Sequence, residues 1–244
     1  MAKVGIIIQA RMGSTRLPGK VLKILNGRPM LWHIIQRLKA VQDADEIIVA
    51  TSEKEADKPI TVLSEEYGLK YFTGSEDDVL ERYVKAAERY GIDVIVRITA
   101  DCPLVDPGII QELIKKHLAE QNDYTSNVIE RTFPRGLDAE VVNLAALEKV
   151  AGTTSEKRFR EHVTLFIYEH PELFRIGNLK AREPFNRPEL RLTVDTDEDF
   201  KLIQIIYREL YRENQYIRLP EVFQYLEKNP YLLELNANIE QKVV

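Results

Sequence analysis

The stretch Lys3-Val-Gly-Ile-Ile-Ile-Gln9-Ala10-Arg11-Met-Gly13-Ser14-Thr15-Arg16-Leu-Pro18-Gly19-Lys20 decides the fold. Val4 to Ile8 is a short, β-branched apolar run, the length of a buried parallel strand. It stops at a loop that carries Gly13, Ser14, Thr15 and Gly19 together with three cations, Arg11, Arg16 and Lys20. Open α/β sheets bind ligands at such strand ends. Small residues let backbone amides approach an anion, and arginines offer planar donor forks to phosphate oxygens. Cations crowded this closely repel one another unless an anion joins them. The loop therefore reads as a phosphate-binding loop for a nucleotide. Neither the Walker A spacing nor Gly-x-Gly-x-x-Gly occurs here, which argues against a P-loop enzyme and a nicotinamide dehydrogenase.

Outward from that loop, strands alternate with helical patterns. Strands are expected at 46–51, 70–72 and 93–99, and helices at 29–41, 55–67, 77–90 and 107–121. This order implies a parallel sheet with helices on both faces. Ser75 reads as the cap of the third helix, with acids in its first turn. Later strands are expected at 124–128, 137–142, 173–178 and 189–194, and helices at 156–170, 197–213 and 220–228. Asn236 to Val244 is expected to fray or to pack on a neighbouring subunit. One domain spans 1–244, with 124–178 as a small α+β lobe.

A chain of 244 residues, 44% of them hydrophobic, can bury a full core. Its net charge of −5 argues against non-specific nucleic-acid binding, so the basic loop is a local feature suited to a small anion. No apolar stretch nears the roughly 20 residues that span a bilayer, and no signal-peptide pattern opens the chain. The single Cys102 excludes an internal disulfide and reads as a small buried residue. A soluble cytoplasmic protein is expected.

Two strand ends carry carboxylates. Thr99-Ala-Asp101-Cys-Pro103 places Asp101 beside the first loop, where Mg²⁺ takes one or two carboxylates and completes its shell with phosphates and water. Leu192-Thr-Val-Asp195-Thr-Asp-Glu-Asp199 repeats the pattern with Asp195. Asp197, Glu198 and Asp199 read as solvated helix-dipole partners. A nucleoside triphosphate carries about −4, and one Mg²⁺ with Arg11, Arg16 and Lys20 supplies about +5 against the two carboxylates, so the assembly is near neutral.

The segment Gln9-Ala-Arg11-x-x-Ser14-x-Arg16-Leu-Pro18-x-Lys20 resembles the opening signature of the CMP-sugar synthetases. These cytidylyltransferases activate 3-deoxy-manno-octulosonate and sialic-acid-like sugars. The chain is most similar to the spore-coat-polysaccharide-F-like branch, which also resembles pseudaminic acid cytidylyltransferases. Gln9 stands where the octulosonate and sialate enzymes usually have proline, which favours that branch. The resemblance covers nearly the whole chain. It implies a nucleotide-diphospho-sugar transferase fold, glycosyltransferase-A-like and Rossmann-like, and a homodimer. It also implies Mg²⁺-dependent transfer of CMP from CTP to a sugar acceptor, an acidic one, with release of pyrophosphate.

On this reading Gln9, Ala10, Arg11, Gly13, Ser14, Arg16, Lys20, Thr99 and Asp101 bind the nucleotide. Arg11, Arg16, Lys20 and Asp101 act in catalysis, and Asp101 and Asp195 hold the metal. The stretch Pro134-Arg135-Gly136-Leu-Asp138-Ala-Glu140 matches the family's acceptor side. Asp138 or Glu140, placed on one strand face, would bond sugar hydroxyls, and Arg135 would hold a carboxylate. His162 shares a helix face with Arg158 and is either a structural residue or an acceptor contact. The alternatives are a uridylyl- or guanylyltransferase acting on a sugar 1-phosphate, and a non-catalytic nucleotide-binding module.

Overall fold

Alternation along the first strand, β1 (Val4–Gln9), divides the molecule into two cores. Ile6 and Ile8 point into one and Ile7 into the other, all three fully buried. The computed structural model describes residues 2–213 and 215–241. After β1 come a small hairpin, β2 (Ile24–Leu25) and β3 (Arg28–Pro29), and then α1 (Met30–Leu38). β4 (Glu46–Ser52), α2 (Lys58–Glu66), β5 (Lys70–Gly74), α3 (Val79–Tyr90), β6 (Val94–Thr99) and α4 (Pro107–Glu120) continue the alternation.

β1 pairs in parallel with β4 on one side and β6 on the other, and β4 pairs in parallel with β5. The chain winds outward from β1 to β5 and then returns to β6. The switch point therefore lies between the carboxyl ends of β1 and β6, where Gln9 and Thr99 stand in register. β7 (Tyr124–Ser126), β8 (Glu140–Asn143) and β9 (Ile176–Asn178) extend the same sheet, giving the order β5-β4-β1-β6-β8-β7-β9. β8 runs antiparallel to β6 and β7, so the sheet is mixed at that end. The segment 124–178 thus adds its strands to the central sheet. Its helices α5 (Leu144–Thr153), α6 (Lys157–Glu161) and α7 (Leu165–Glu169) contribute Leu147, Phe159 and Phe166 to the Ile7 core. α8 (Asp197–Leu210) and α9 (Leu219–Lys228) pack on the opposite core. Among the described residues no helix is long and apolar enough to cross a membrane.

Three local expectations are corrected. The helix expected over 156–170 is two short helices broken at His162-Val163-Thr164, because the Thr164 hydroxyl turns inward to donate to Glu140 Oε1 at 2.6 Å. The strand expected over 189–194 is an extended segment with one isolated bridge, Arg135 to Arg191. Gly136, at φ +98°, turns the chain out of extended conformation directly after that bridge, and only glycine fits there because a Cβ would meet Leu192 C at 2.5 Å. Asp78, not Ser75, caps α3 by accepting from Glu81 N at 2.9 Å, while Ser75 Oγ accepts from Asp78 N at 3.0 Å. Of the closing stretch, residues 242–244 lie outside the described residues. Asn236 does not fray: it is buried and donates to both Arg191 O and Asp199.

His33 of α1 is sealed among Trp32, Tyr207 and Tyr211 and bonds Leu25 O through Nε2 at 2.7 Å. Burial is the main cause that lowers its pKa from 6.5 to about 4. The sign follows from proton binding: below pH 6.5 the unfolded chain takes a proton that the folded chain refuses until about pH 4. Stability should fall by about 2–3 kcal/mol across that window. Urea titrations should show that His33→Gln, which keeps the donor to Leu25 O, loses this part of the slope. An unchanged slope would contradict the assignment.

Candidate active site

Backbone bonds shape the first loop before any ligand is considered. Met12 O accepts from Ser14 N at 2.9 Å and from Gly19 N at 3.0 Å, and Met12 N donates to Asp57 Oδ1 at 2.6 Å. Gly19 takes φ +68°, a left-handed turn that delivers Lys20 back beneath the strand end. Gln9, Arg11, Ser14, Arg16 and Lys20 then line a cleft of about 230 Å³ with Thr99, Asp101 and Asp195. Ala10 is buried under the loop and bonds Ala50 O, whereas Gly13 is exposed; neither lines the cleft. Arg11 also borders a neighbouring cleft with Glu76 and Asp78.

Lys20 joins the two strand-end carboxylates. Its Nζ donates to Val194 O at 2.8 Å, Asp195 Oδ1 at 2.9 Å and Asp101 Oδ2 at 3.0 Å. Burial alone would lower the Lys20 pKa, but Asp101 and Asp195 together hold it above the ordinary value. Asp101 is half-buried, and its loss of solvent pushes its carboxyl up; the Lys20 charge and a 2.6 Å bond from Thr99 Oγ1 outweigh that and keep it lowered. Burial, followed by the charge of Asp101, drives the Cys102 thiol well above its usual value, so it stays protonated and donates to Asp101 Oδ1 at 3.4 Å. Asp195 needs no ladder to reach Asp101. The carbonyl of Asp101 accepts from Val194 N at 2.8 Å and from Thr193 Oγ1 at 3.1 Å, clamping the two segments together.

A second layer fixes Asp195. Arg16 lies 3.1 Å and Arg191 Nη2 3.0 Å from its Oδ2. Arg191 also grips Asp199 through Nε at 2.8 Å and Nη2 at 2.9 Å. Asp199 is fully buried and accepts from Asp195 N and Asn236 as well, which corrects its reading as a solvated dipole partner. Thr196 and Asp199 form a capping box, and the buried acid doubles as an anchor for the loop that carries Asp195.

Thr99 is shared with a second cleft of about 440 Å³, lined by Arg97, Arg135, Asp138, Glu140 and His162. Asp138 lies before β8, not within it, and is held by both Nη atoms of Arg131 at 2.8 and 2.9 Å. Glu140 is paired with Arg97 and accepts from Tyr124 and Thr164, so its carboxylate is engaged inside the protein. Arg135 makes no ion pair among the described residues. Burial, then the like charge of Arg131, pushes it below its ordinary value despite Asp138. Arg158 sits outside the cleft, paired with Glu156 and Glu169.

Arg191, Arg97 and Arg131 carry no role in the sequence reading, and Asp199 carries only that of a dipole partner. Arg191 did carry one signal, its place four residues before Asp195 in an apolar segment. Nothing local marks Arg97 inside a buried strand.

A family model described as cytidylyltransferase matches residues 5–240. The spore coat polysaccharide biosynthesis protein SpsF of Bacillus subtilis is 38% identical over 235 residues, 94% of this chain and 96% of that protein. A 3-deoxy-manno-octulosonate cytidylyltransferase of Aeromonas salmonicida is 34% identical over 114 residues, covering 44% of this chain and 43% of its own. The solved structure of a cytidylyltransferase from Leptospira borgpetersenii superposes with a TM-score of 0.90 over 100% of both chains at 32% identity.

Proposed function

The chain belongs to the cytidylyltransferase family, and from that premise we propose that it transfers CMP from CTP to an acidic sugar in the making of a cell-surface polysaccharide. The observation that carries this is Lys20 bound at once to Asp101 and Asp195 at the sheet's switch point, with Arg16 beside them. The first cleft takes the triphosphate and the second the acceptor. The acid character of the acceptor rests on Arg135, a cation of the second cleft with no ion pair among the described residues. The relatives named above act on an octulosonate or in spore coat polysaccharide synthesis.

The acceptor hydroxyl attacks the α-phosphorus, its new O–P bond forming as the bond to the pyrophosphate oxygen breaks and its proton passing to solvent. Arg11, Arg16 and Lys20 neutralise the charge gathering on the leaving pyrophosphate. Gln9 and Thr99 orient the nucleotide, and Asp138, pinned by Arg131, receives a sugar hydroxyl. Asp101 and Asp195 would hold one Mg²⁺. The donor set fits: Lys20, a cation, already lies between two hard carboxylate oxygens, and Mg²⁺ does not require the cluster of three or more ligands that the described residues lack. When bound, the ion polarises the α-phosphate and acidifies the acceptor hydroxyl. The enzyme acts in the cytoplasm as a homodimer, with 124–178 as the acceptor-side and dimer-forming lobe.

With Mg²⁺ present, CTP at about 100 times its Kd should add about 2.7 kcal/mol of stability, raising the melting temperature by about 5–10 °C. UTP, GTP and ATP should add less, and EDTA should remove most of the gain. Equal stabilisation by all four nucleotides would contradict the base preference, and indifference to EDTA would contradict the metal.

A further inference from the structure

The second cleft has one lining residue from outside the central fold, Gln241. Its side chain is exposed yet tied down: Gln241 Oε1 accepts from Arg191 Nη1 at 2.7 Å. Arginine has donors only, so this bond fixes which way the amide faces. The carbonyl oxygen must face Arg191, and the amide nitrogen, with two donors, bonds no group among the described residues beside the cleft that Gln241 lines. The same guanidinium holds Asp195 and Asp199, and Asn236 pins the start of the segment to Arg191 O at 3.0 Å. The segment 236–241 is thereby fastened to Arg191 at two points, with its last residue lining the cleft.

We propose that Gln241 is an acceptor-binding residue, its amide donating to the carboxylate or a hydroxyl of the sugar acid while Arg191 positions it. This rests on the cytidylyltransferase reading above and adds to it a contact from the closing segment. Arg191 is then a positioning residue for both halves of the reaction. One guanidinium orients Asp195 on the nucleotide side and Gln241 on the sugar side.

Two variants separate contact from anchoring. Gln241→Glu keeps an acceptor for Arg191 but replaces the amide donors with a negative charge facing an acidic sugar. Gln241→Ala removes both. Steady-state kinetics would use CTP with 3-deoxy-manno-octulosonate and with N-acetylneuraminate as acceptors. For the acid that the wild type accepts, Gln241→Glu should raise the sugar KM about tenfold or more, and Gln241→Ala about five- to tenfold. The CTP KM should stay within about twofold, and melting temperatures should match the wild type because the side chain is exposed. A wild-type sugar KM in Gln241→Glu would overturn the inference and leave the cytidylyltransferase reading standing. A rise in the CTP KM equal to that in the sugar KM would overturn it too, since anchoring alone would then suffice. Failure of the wild type to turn over CTP with either acid would overturn the acceptor reading, and the inference with it.

Discussion

Lys20→Ala should lower CTP turnover about 100- to 1,000-fold, the largest loss expected from removing any one cation of the first loop. The side chain is one of the three loop cations and the only one bonded to both strand-end aspartates. Its removal deletes a phosphate partner and leaves Asp101 and Asp195 to repel the incoming triphosphate. Losing one preorganised partner of the charge that develops in the transition state costs about 2.7–4 kcal/mol, which is that range of rates. Lys20→Arg should not restore activity. The three acceptors at 2.8, 2.9 and 3.0 Å surround a point charge, and the planar guanidinium fork does not match them. Stopped assays of pyrophosphate release would measure both variants. Turnover within about threefold of wild type in either would contradict this placement of the lysine.

Asp199→Ala should lower stability by about 3–5 kcal/mol and abolish activity without touching a substrate. The carboxylate is fully buried and is the main counter-charge of Arg191, whose side chain is only 9% exposed. Burial raises the Asp199 pKa, but the bonds from Arg191, Asn236 and the backbone of Asp195 outweigh it and keep the group ionised. Its loss strands a buried guanidinium, opens the capping box of α8 and frees the loop that presents Asp195. Urea unfolding should show a lower midpoint with an unchanged slope. A midpoint within about 0.5 kcal/mol of wild type would contradict the role given to this residue.

The first half of the fold was legible because its chemistry is local. A β-branched run, a glycine-bearing loop and helical periodicity follow one another in the order that only a parallel sheet accommodates. The same locality marked Arg16 and Lys20 in the loop after β1, Asp101 just past β6, and Asp195 at the end of an apolar run that forms only one bridge. What stayed hidden depends on partners distant in sequence. Asp199 sits in an acidic first turn, where dipole stabilisation suffices as an account, and only Arg191 and Asn236 reveal it as buried. Glu140 alternates like a cleft residue, but Arg97, 43 positions earlier, claims its carboxylate. The break at His162-Val163-Thr164 arises from a hydroxyl drawn to that same Glu140, which no helical pattern contains. Gln241 lies beyond the last periodic segment and acquires meaning only through Arg191.

Phosphorus NMR of a reaction holding the protein, Mg²⁺, CTP and a sugar acid tests the central claim most directly. CMP transfer predicts that the three CTP resonances are replaced by pyrophosphate and one phosphodiester signal coupled to the sugar, with UTP, GTP and ATP left intact. Consumption of UTP or GTP in preference to CTP, with a sugar 1-phosphate as acceptor and a diphosphate-linked product, would contradict it.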